Sequence, residues 1–145
     1  MKLKTAYMGE VEIDSKNVLN FEHGIPGFES EKEFVLIPIE EESIFQVLQS
    51  IQTESLAFII TSPYAITTNY TFELDEATLN ALDIKSETEV AVFAIVSLKD
   101  TLADSTVNLK APIVLNTTNN KAKQVIIDKE AYTIRHQLSL ESMKG

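Results

Sequence analysis

The side chains best suited to acid–base chemistry are the two histidines, His23 and His136, and the carboxylates beside them. Glu22 next to His23 could form an acid–base pair, although adjacent residues on a strand point to opposite faces. A zinc site would need several carboxylates, because the chain has no cysteine. Four glycines are too few for a glycine-rich phosphate loop. We therefore predict no catalytic centre, metal site or cofactor, and keep as the alternative a small-ligand-binding or hydrolytic pocket at Glu22 and His23.

Residues 21–29 read Phe-Glu-His-Gly-Ile-Pro-Gly-Phe-Glu and form the most informative stretch of the chain. Pro26 has the φ value wanted at the second position of a tight turn, and Gly27 can take the positive φ that a type II turn needs next. Ile25 and Phe28 place apolar groups around this turn. A turn of this kind either packs on the core or is offered to a partner, so the stretch indicates recognition rather than catalysis.

The predicted partner-binding residues combine apolar contacts from the turn, charge from the carboxylates near it, and a second stretch before Pro112. They are Glu22, His23, Gly24, Ile25, Pro26, Gly27, Phe28, Glu29, Glu31, Glu33, Asn108 and Lys110. A purely structural role, in which Asn108 satisfies nearby backbone groups, is the alternative for the second stretch. If the turn is a binding surface, changing both Ile25 and Phe28 to Ala weakens binding and leaves thermal stability near that of the wild type.

Composition and charge narrow the class of protein. The 145 residues fit a single domain over 1–145, with an ordered core from about 3 to 138, and the net charge is -10. Most of the 22 acidic residues lie between Glu10 and Asp104, where only four residues are basic. This balance disfavours direct nucleic-acid binding, which needs clustered Lys and Arg. Without a secretion signal or a membrane-spanning apolar run, we expect a cytoplasmic protein, monomeric on its own.

Short apolar runs separated by turn signals predict a mainly β fold, a small antiparallel β-barrel-like domain with one or two short helices. Asp75 is placed to cap a helix through Leu82, and Ser86 with Glu89 matches a capping box. We expect the strand at 90–96 to be central and covered on both faces, a solvated loop at 40–42, and frayed residues from about Leu138. The predicted strands are 3–7, 10–13, 18–21, 34–39, 45–49, 56–61, 70–74, 90–96, 107–109, 113–116 and 124–127.

Four sequence blocks in a fixed order carry a family resemblance. They are the 21–29 stretch, Leu-Ala-Phe-Ile-Ile-Thr-Ser-Pro at 56–63, Phe-Glu-Leu-Asp at 72–75 and Val-Asn-Leu-Lys-Ala-Pro-Ile at 107–113. The closing Ile-Arg-His at 134–136 fits the same pattern. From about residue 3 to residue 138, the chain resembles the bacterial flagellar assembly factor family, FliW.

The resemblance implies a function, which composition alone does not indicate. Members of that family are small, mainly β, cytoplasmic proteins without enzymatic activity. They bind the small basic RNA-binding regulator CsrA and stop it from repressing flagellin translation. They also bind flagellin itself, in a chaperone-like role, so that free flagellin displaces CsrA. The resemblance therefore implies a partner switch, in which the acidic surface of this chain would attract CsrA.

Overall fold

The computed structural model describes residues 1–39, 43–67, 69–101 and 104–138. The predicted acidic loop at 40–42 and the end of the chain beyond Leu138 lie outside these residues. The described part contains two short α-helices, α1 (Pro63–Ile66) and α2 (Glu76–Ala81), and eleven strands. The strands are β1 (Lys2–Lys4), β2 (Glu10–Glu12), β3 (Leu19–Phe21), β4 (Glu33–Pro38), β5 (Phe45–Ser50), β6 (Ala57–Thr61), β7 (Val90–Ser97), β8 (Thr106–Val107), β9 (Ile113–Asn116), β10 (Lys121–Gln124) and β11 (His136–Gln137).

Seven strands close into a barrel. Their order is β7-β6-β5-β4-β3-β10-β9, and β9 pairs back onto β7 to complete the ring. Every pair in the ring is antiparallel except β3 with β10, which run parallel. β8 and β11 extend the sheet beyond β7, and β1 with β2 forms a separate hairpin. The predicted mainly β, barrel-like fold is confirmed, with this one parallel pair in an otherwise antiparallel ring.

The core follows from the alternation of apolar side chains along these strands. Phe34, Leu48 and Ile60 come from three adjacent strands and are essentially inaccessible to solvent. The rings of Phe21 and Phe34 meet edge to face at 5.3 Å. Burying each such side chain stabilises the fold by about 1.5–3 kcal/mol. Phe21 and Ile25 of the 21–29 stretch belong to the same cluster, so the stretch packs against this part of the barrel.

The predicted strand at 70–74 is wrong. Its period-two pattern is real, since Phe72 and Leu74 are half-buried while the residues between them are exposed. No strand pairs with it among the described residues, and the N–H of Thr71 donates instead to the Tyr132 hydroxyl at 2.8 Å. The segment is thus an extended chain outside the sheet, which an alternating pattern alone cannot distinguish from a paired strand.

Other differences concern the positions of elements. The last predicted strand, 124–127, lies three residues earlier, as β10, although the Val125 and Ile127 N–H groups still donate to the carbonyls of Pro112 and Lys110. The strand at 90–96 is central, pairing with β6, β8 and β9, but its first half is only half-buried, so its two faces are not both covered. Neither α1 nor β11 was predicted.

The two predicted helix starts are confirmed. The Asp75 side chain caps α2 by accepting from the Thr78 N–H at 2.9 Å, and Ser86 with Glu89 forms a capping box at a single 3-10 turn. No helix in the described part of the chain is long and apolar enough to cross a membrane.

Candidate functional site

The 21–29 stretch forms two successive tight turns. The Gly24 N–H donates to the Phe21 carbonyl at 2.9 Å, and the Phe28 N–H donates to the Ile25 carbonyl at 2.6 Å. Gly27 has a φ of +89°, as the Pro-Gly pattern predicts. Gly24 has a φ of +68°, and a Cβ built there would lie 2.6 Å from the Glu29 carbonyl oxygen. Glycine is therefore needed at Gly24 for both its φ and its close backbone approach.

The two apolar residues of the turn have different environments. Ile25 is 2% exposed and belongs to the barrel core, so its side chain is not available to a partner. Its predicted role as a contact residue is wrong, and replacing it would reduce stability rather than leave it near wild type. Phe28 is 40% exposed, and its ring meets that of Phe58 edge to face at 5.6 Å. Of the two, only Phe28 presents an apolar surface to solvent.

Phe28 lies in an open groove of about 540 Å³, which we call the turn groove. One wall is the turn itself, and the other is the connection between β5 and β6. The groove is lined by Gly27, Phe28, Glu29, Ser30, Glu31, Thr53, Ser55 and Leu56. An exposed aromatic ring inside a groove with an acidic lining is a surface suited to a partner with both apolar and basic groups.

The β5–β6 connection is held in place by one buried amide. The Gln49 side chain is fully buried, and its Nε2 lies within hydrogen-bond distance of the carbonyls of Ser50, Glu54 and Leu56, at 3.0, 3.0 and 3.2 Å. Its Oε1 accepts from the Ala6 N–H at 2.9 Å, which ties the N-terminal hairpin to the same connection. Gln49 therefore positions the second wall of the turn groove.

The carboxylates around the groove divide into two kinds. Glu31 is half-buried, and its two oxygens accept from the hydroxyls of Ser50 and Thr53 at 2.5 and 3.0 Å. Glu31 therefore joins the two walls of the groove, a structural role beyond the steering role predicted for it. Glu29 is exposed and lines the groove, and its Oε2 accepts from the Gly27 N–H at 2.5 Å. Glu33 and Glu54 are also exposed, and they lie within two residues of lining residues in the sequence.

Glu22 and His23 lie at a different groove, of about 380 Å³, between the first turn, the end of α2 and β10. Both side chains are exposed and line the same groove, because β3 ends at Phe21 and the alternation of a strand no longer applies. Lys121 in this groove is bound to Asp83, with Nζ to Oδ2 at 2.7 Å. That hydrogen bond lowers the pKa of Asp83 and raises the pKa of Lys121.

Asn108 and Lys110 lie in the connection between β8 and β9. The Asn108 Oδ1 accepts from the N–H groups of Lys110 and Ala111 at 3.1 and 3.0 Å, which is the local structural role left open by the sequence. The Lys110 carbonyl accepts from Ile127. Leu109 between them packs in a different apolar cluster from Ile25, so this connection and the turn belong to different parts of the core.

The second wall of the turn groove was missed from the sequence. Leu56 and Phe58 were assigned only to a strand, although their period-two spacing places both on the face that meets Phe28. The buried Gln49 was likewise hidden inside a predicted strand. A polar side chain at a buried strand position is the one signal that could have pointed to the hydrogen-bonded β5–β6 connection.

Comparison with known proteins agrees with the fold and the order of the sequence blocks. The family model described as FliW protein matches residues 2–138. The chain is 48% identical over 142 residues to the flagellar assembly factor FliW of Oceanobacillus iheyensis, covering 98% of this chain and 95% of that protein. It is 43% identical over 142 residues to that of Bacillus subtilis, covering 98% and 99%.

A solved structure gives the same result. The crystal structure of a flagellar assembly factor FliW superposes with a TM-score of 0.89 at 40% identity, covering 95% of this chain and 96% of that one. The chain belongs to the FliW family of flagellar assembly factors.

Proposed function

We propose that this chain is a regulatory binding protein of the cytoplasm that binds CsrA and antagonises its repression of flagellin mRNA. We further propose that flagellin binds the same protein and displaces CsrA, so that flagellin synthesis follows the amount of free flagellin. The family supports the general role, since its members carry the name flagellar assembly factor. The observation that carries the proposal is the turn groove, where the exposed Phe28 lies among carboxylates.

The chemistry of the partner explains why such a groove suits it. A protein that holds RNA phosphates must present Lys and Arg side chains. The carboxylates of Glu29, Glu33 and Glu54 would attract those groups over about one Debye length, and Phe28 would then add apolar contact. The net charge of -10 also attracts a basic partner, at longer range.

This chain could weaken RNA binding by CsrA without covering the RNA site of CsrA. Carboxylates docked beside that site would repel incoming phosphates, and a juxtaposition of like charges costs on the order of a few kcal/mol. Each 1.4 kcal/mol or so changes affinity about tenfold. Because coupling between two ligands of one protein is reciprocal, RNA should weaken the binding of this chain to CsrA by the same factor.

We propose that the protein acts by contact and transforms no substrate. Glu22 and His23, which the hydrolytic alternative would need, are both exposed at the rim of their groove rather than enclosed in a pocket. An acid–base pair in a hydrolase is expected in a site that excludes water around the reacting atoms. The alternative therefore has no observation that favours it.

A pull-down with purified CsrA tests the proposal. We expect CsrA to be retained at low salt, released in part at 1 M salt, and displaced by added flagellin. A matched sample with the Phe28→Ala variant should retain less CsrA at every salt concentration. Failure to retain CsrA at low salt, or retention unaffected by flagellin, would contradict the partner switch.

A further inference from the structure

A third groove, in addition to the turn groove and the groove at Glu22 and His23, has the form of a sheet with one strand missing. We call it the strand gap. It has a volume of about 690 Å³, and its two walls are the chain segments 71–75 and 123–129. Neither wall carries a residue that lines the turn groove, so this inference does not rest on the proposed function.

The first wall is the extended segment that fails to join the sheet. The N–H of Thr71 donates to the Tyr132 hydroxyl, and the carbonyl of Thr71 accepts from that hydroxyl and from Lys129 Nζ, each at 3.0 Å. Thr71 and Lys129 both line the strand gap, so the backbone groups of Thr71 are directed across it. Alternate residues of an extended chain direct their backbone groups to the same side. The N–H and carbonyl of Glu73 therefore also face the strand gap, and neither has a hydrogen-bond partner among the described residues.

The second wall continues β10 beyond its last paired residue. The N–H groups of Val125 and Ile127 donate to carbonyls on the β9 side, at 2.9 and 2.7 Å. By the same alternation, the backbone groups of Ile126 face away from β9 and towards the strand gap. They too lack a partner in the part of the chain that the structure describes. The Ile126 side chain is 78% exposed, more than any other large apolar side chain in the described part of the chain.

The two walls are aligned at both ends. Lys129 reaches the carbonyl of Thr71 at one end. At the other end, Asp75 and Lys123 both line the strand gap. The walls therefore run antiparallel, with Glu73 and Ile126 near the middle of each.

The charges of the strand gap select the occupant. The strand gap is lined by the carboxylates of Glu73, Asp75 and Asp128 and by the ammonium groups of Lys123 and Lys129, and the hydrogen bond of Lys129 to the neutral Thr71 carbonyl leaves its charge in place. The uncompensated charge is therefore negative. An inserted chain that carries Lys or Arg between apolar residues would satisfy both the charge and the apolar surface of Phe72, Leu74 and Ile126.

We propose that the strand gap binds an extended segment of a partner protein, which inserts as a β-strand between Glu73 and Ile126 and presents alternating apolar and basic side chains. Its backbone would pair with the free groups of Glu73 and Ile126. Binding by strand addition takes affinity from backbone hydrogen bonds and specificity from alternate side chains.

The test uses the full chain and an acetylated, amidated octapeptide of sequence KTVKITVK, labelled for fluorescence anisotropy. The same peptide with its central residues N-methylated is the control, since methylation removes backbone donors and keeps the side chains. We expect saturable binding of the first peptide and about tenfold weaker binding of the second, as loss of one or two backbone hydrogen bonds predicts. Binding should also slow hydrogen exchange at the amides of Glu73 and Ile126.

Two variants of the protein locate the site. Glu73→Pro removes the backbone donor and should weaken the peptide about tenfold, whereas Glu73→Ala keeps the donor and should change affinity less than about threefold. If Glu73→Pro does not fold, the N-methylated peptide on the wild type decides the question. Absence of saturable binding, or equal binding of the two peptides, would overturn the proposal. So would a dimer in sedimentation that Glu73→Pro dissociates, because the gap would then be filled by a second copy.

Discussion

The ring of Phe28 meets the ring of Phe58 edge to face, with centroids 5.6 Å apart, and yet Phe28 remains 40% exposed. This contact fastens the Pro-Gly turn to β6 and leaves one face of the outer ring open to solvent. The turn is thereby both attached to the barrel and available to a partner. The contributions of Phe28 to stability and to binding can be separated by substitution.

Replacing Phe28 by Ala should weaken CsrA binding and leave the chain folded. An edge-to-face aromatic pair contributes about 0.5–1.5 kcal/mol beyond its buried area, and the burial of part of the ring adds roughly 1–2 kcal/mol, so we expect a loss of stability of about 2–3 kcal/mol. Binding should fall at least about tenfold, as for an aromatic residue at the centre of an interface. Urea denaturation and titration calorimetry measure the two effects. Tyr7→Ala, at an aromatic residue that is 63% exposed, is the control and should leave binding unchanged.

Replacing Ile25 by Ala should have the opposite balance. Because Ile25 is 2% exposed in the barrel core, its truncation should cost about 2–5 kcal/mol of unfolding free energy. Ile134→Ala, at a position 58% exposed, should change stability by less than about 0.5 kcal/mol. Chemical denaturation of the two variants compares the same substitution in two environments, and equal stabilities would show that the turn does not pack on the core.

Substitutions at Gly24 and Gly9 separate two contributions to the cost of an alanine in stability, the close backbone approach and the positive φ. Their φ values are +68° and +67°, so an alanine at either position pays a similar conformational cost of about 1–2 kcal/mol. Only at Gly24 would the new Cβ meet the Glu29 carbonyl, at 2.6 Å, while at Gly9 it meets nothing within 4 Å. We expect Gly24→Ala to be less stable than Gly9→Ala by at least about 1 kcal/mol in thermal denaturation. Indistinguishable midpoints would contradict the close approach.

Replacing Gln49 by Leu should disturb the β5–β6 connection. The substitution leaves the backbone groups that Gln49 satisfies without partners, and each unsatisfied buried group costs about 1–3 kcal/mol. The predicted loss of stability is about 2–4 kcal/mol, with weaker CsrA binding because one wall of the turn groove moves. Gln52→Leu is the control, since Gln52 is exposed and accepts a single hydrogen bond, from Lys32. Similar losses in the two variants, measured in urea, would argue against the positioning role.

Reversing one charge at the turn groove should alter association rather than stability. Glu54→Lys and Glu130→Lys change the net charge equally at two exposed positions, but only Glu54 has neighbours in the sequence, Thr53 and Ser55, that line the turn groove. We expect Glu54→Lys to slow association with CsrA several-fold at low salt, and the difference between the variants to vanish at 1 M salt, where the Debye length is about 3 Å. Stopped-flow experiments measure the association rates of the two variants with CsrA. Equal rates for the two variants at low salt would assign the steering charge to another surface.

The sequence predicted the elements whose signals are local. The Pro26-Gly27 turn, the Asp75 cap and the capping box at Ser86 each depend on residues a few positions apart, and all three are present. It also predicted the barrel, because strands of regular spacing must bury their apolar faces together. The features that could not be predicted depend on contacts between residues far apart in the sequence.

The segment at 70–74 illustrates the limit. Its alternation predicts a strand, but whether a strand pairs with a neighbour depends on segments such as 123–129, which begins 49 positions after residue 74. Ile25 illustrates the same limit in the site. Ile25 and Phe28 look alike in the sequence, and only the packing of the turn on the barrel decides that one is buried and the other exposed.

Hydrogen exchange of the chain with and without purified CsrA shows whether the turn groove is the surface that binds CsrA. We expect slower exchange in residues 25–31 and 51–58, which contain the two walls of the turn groove, and loss of that protection in the Phe28→Ala variant at the same CsrA concentration. Protection confined to other parts of the chain, with both walls unchanged, would contradict this expectation.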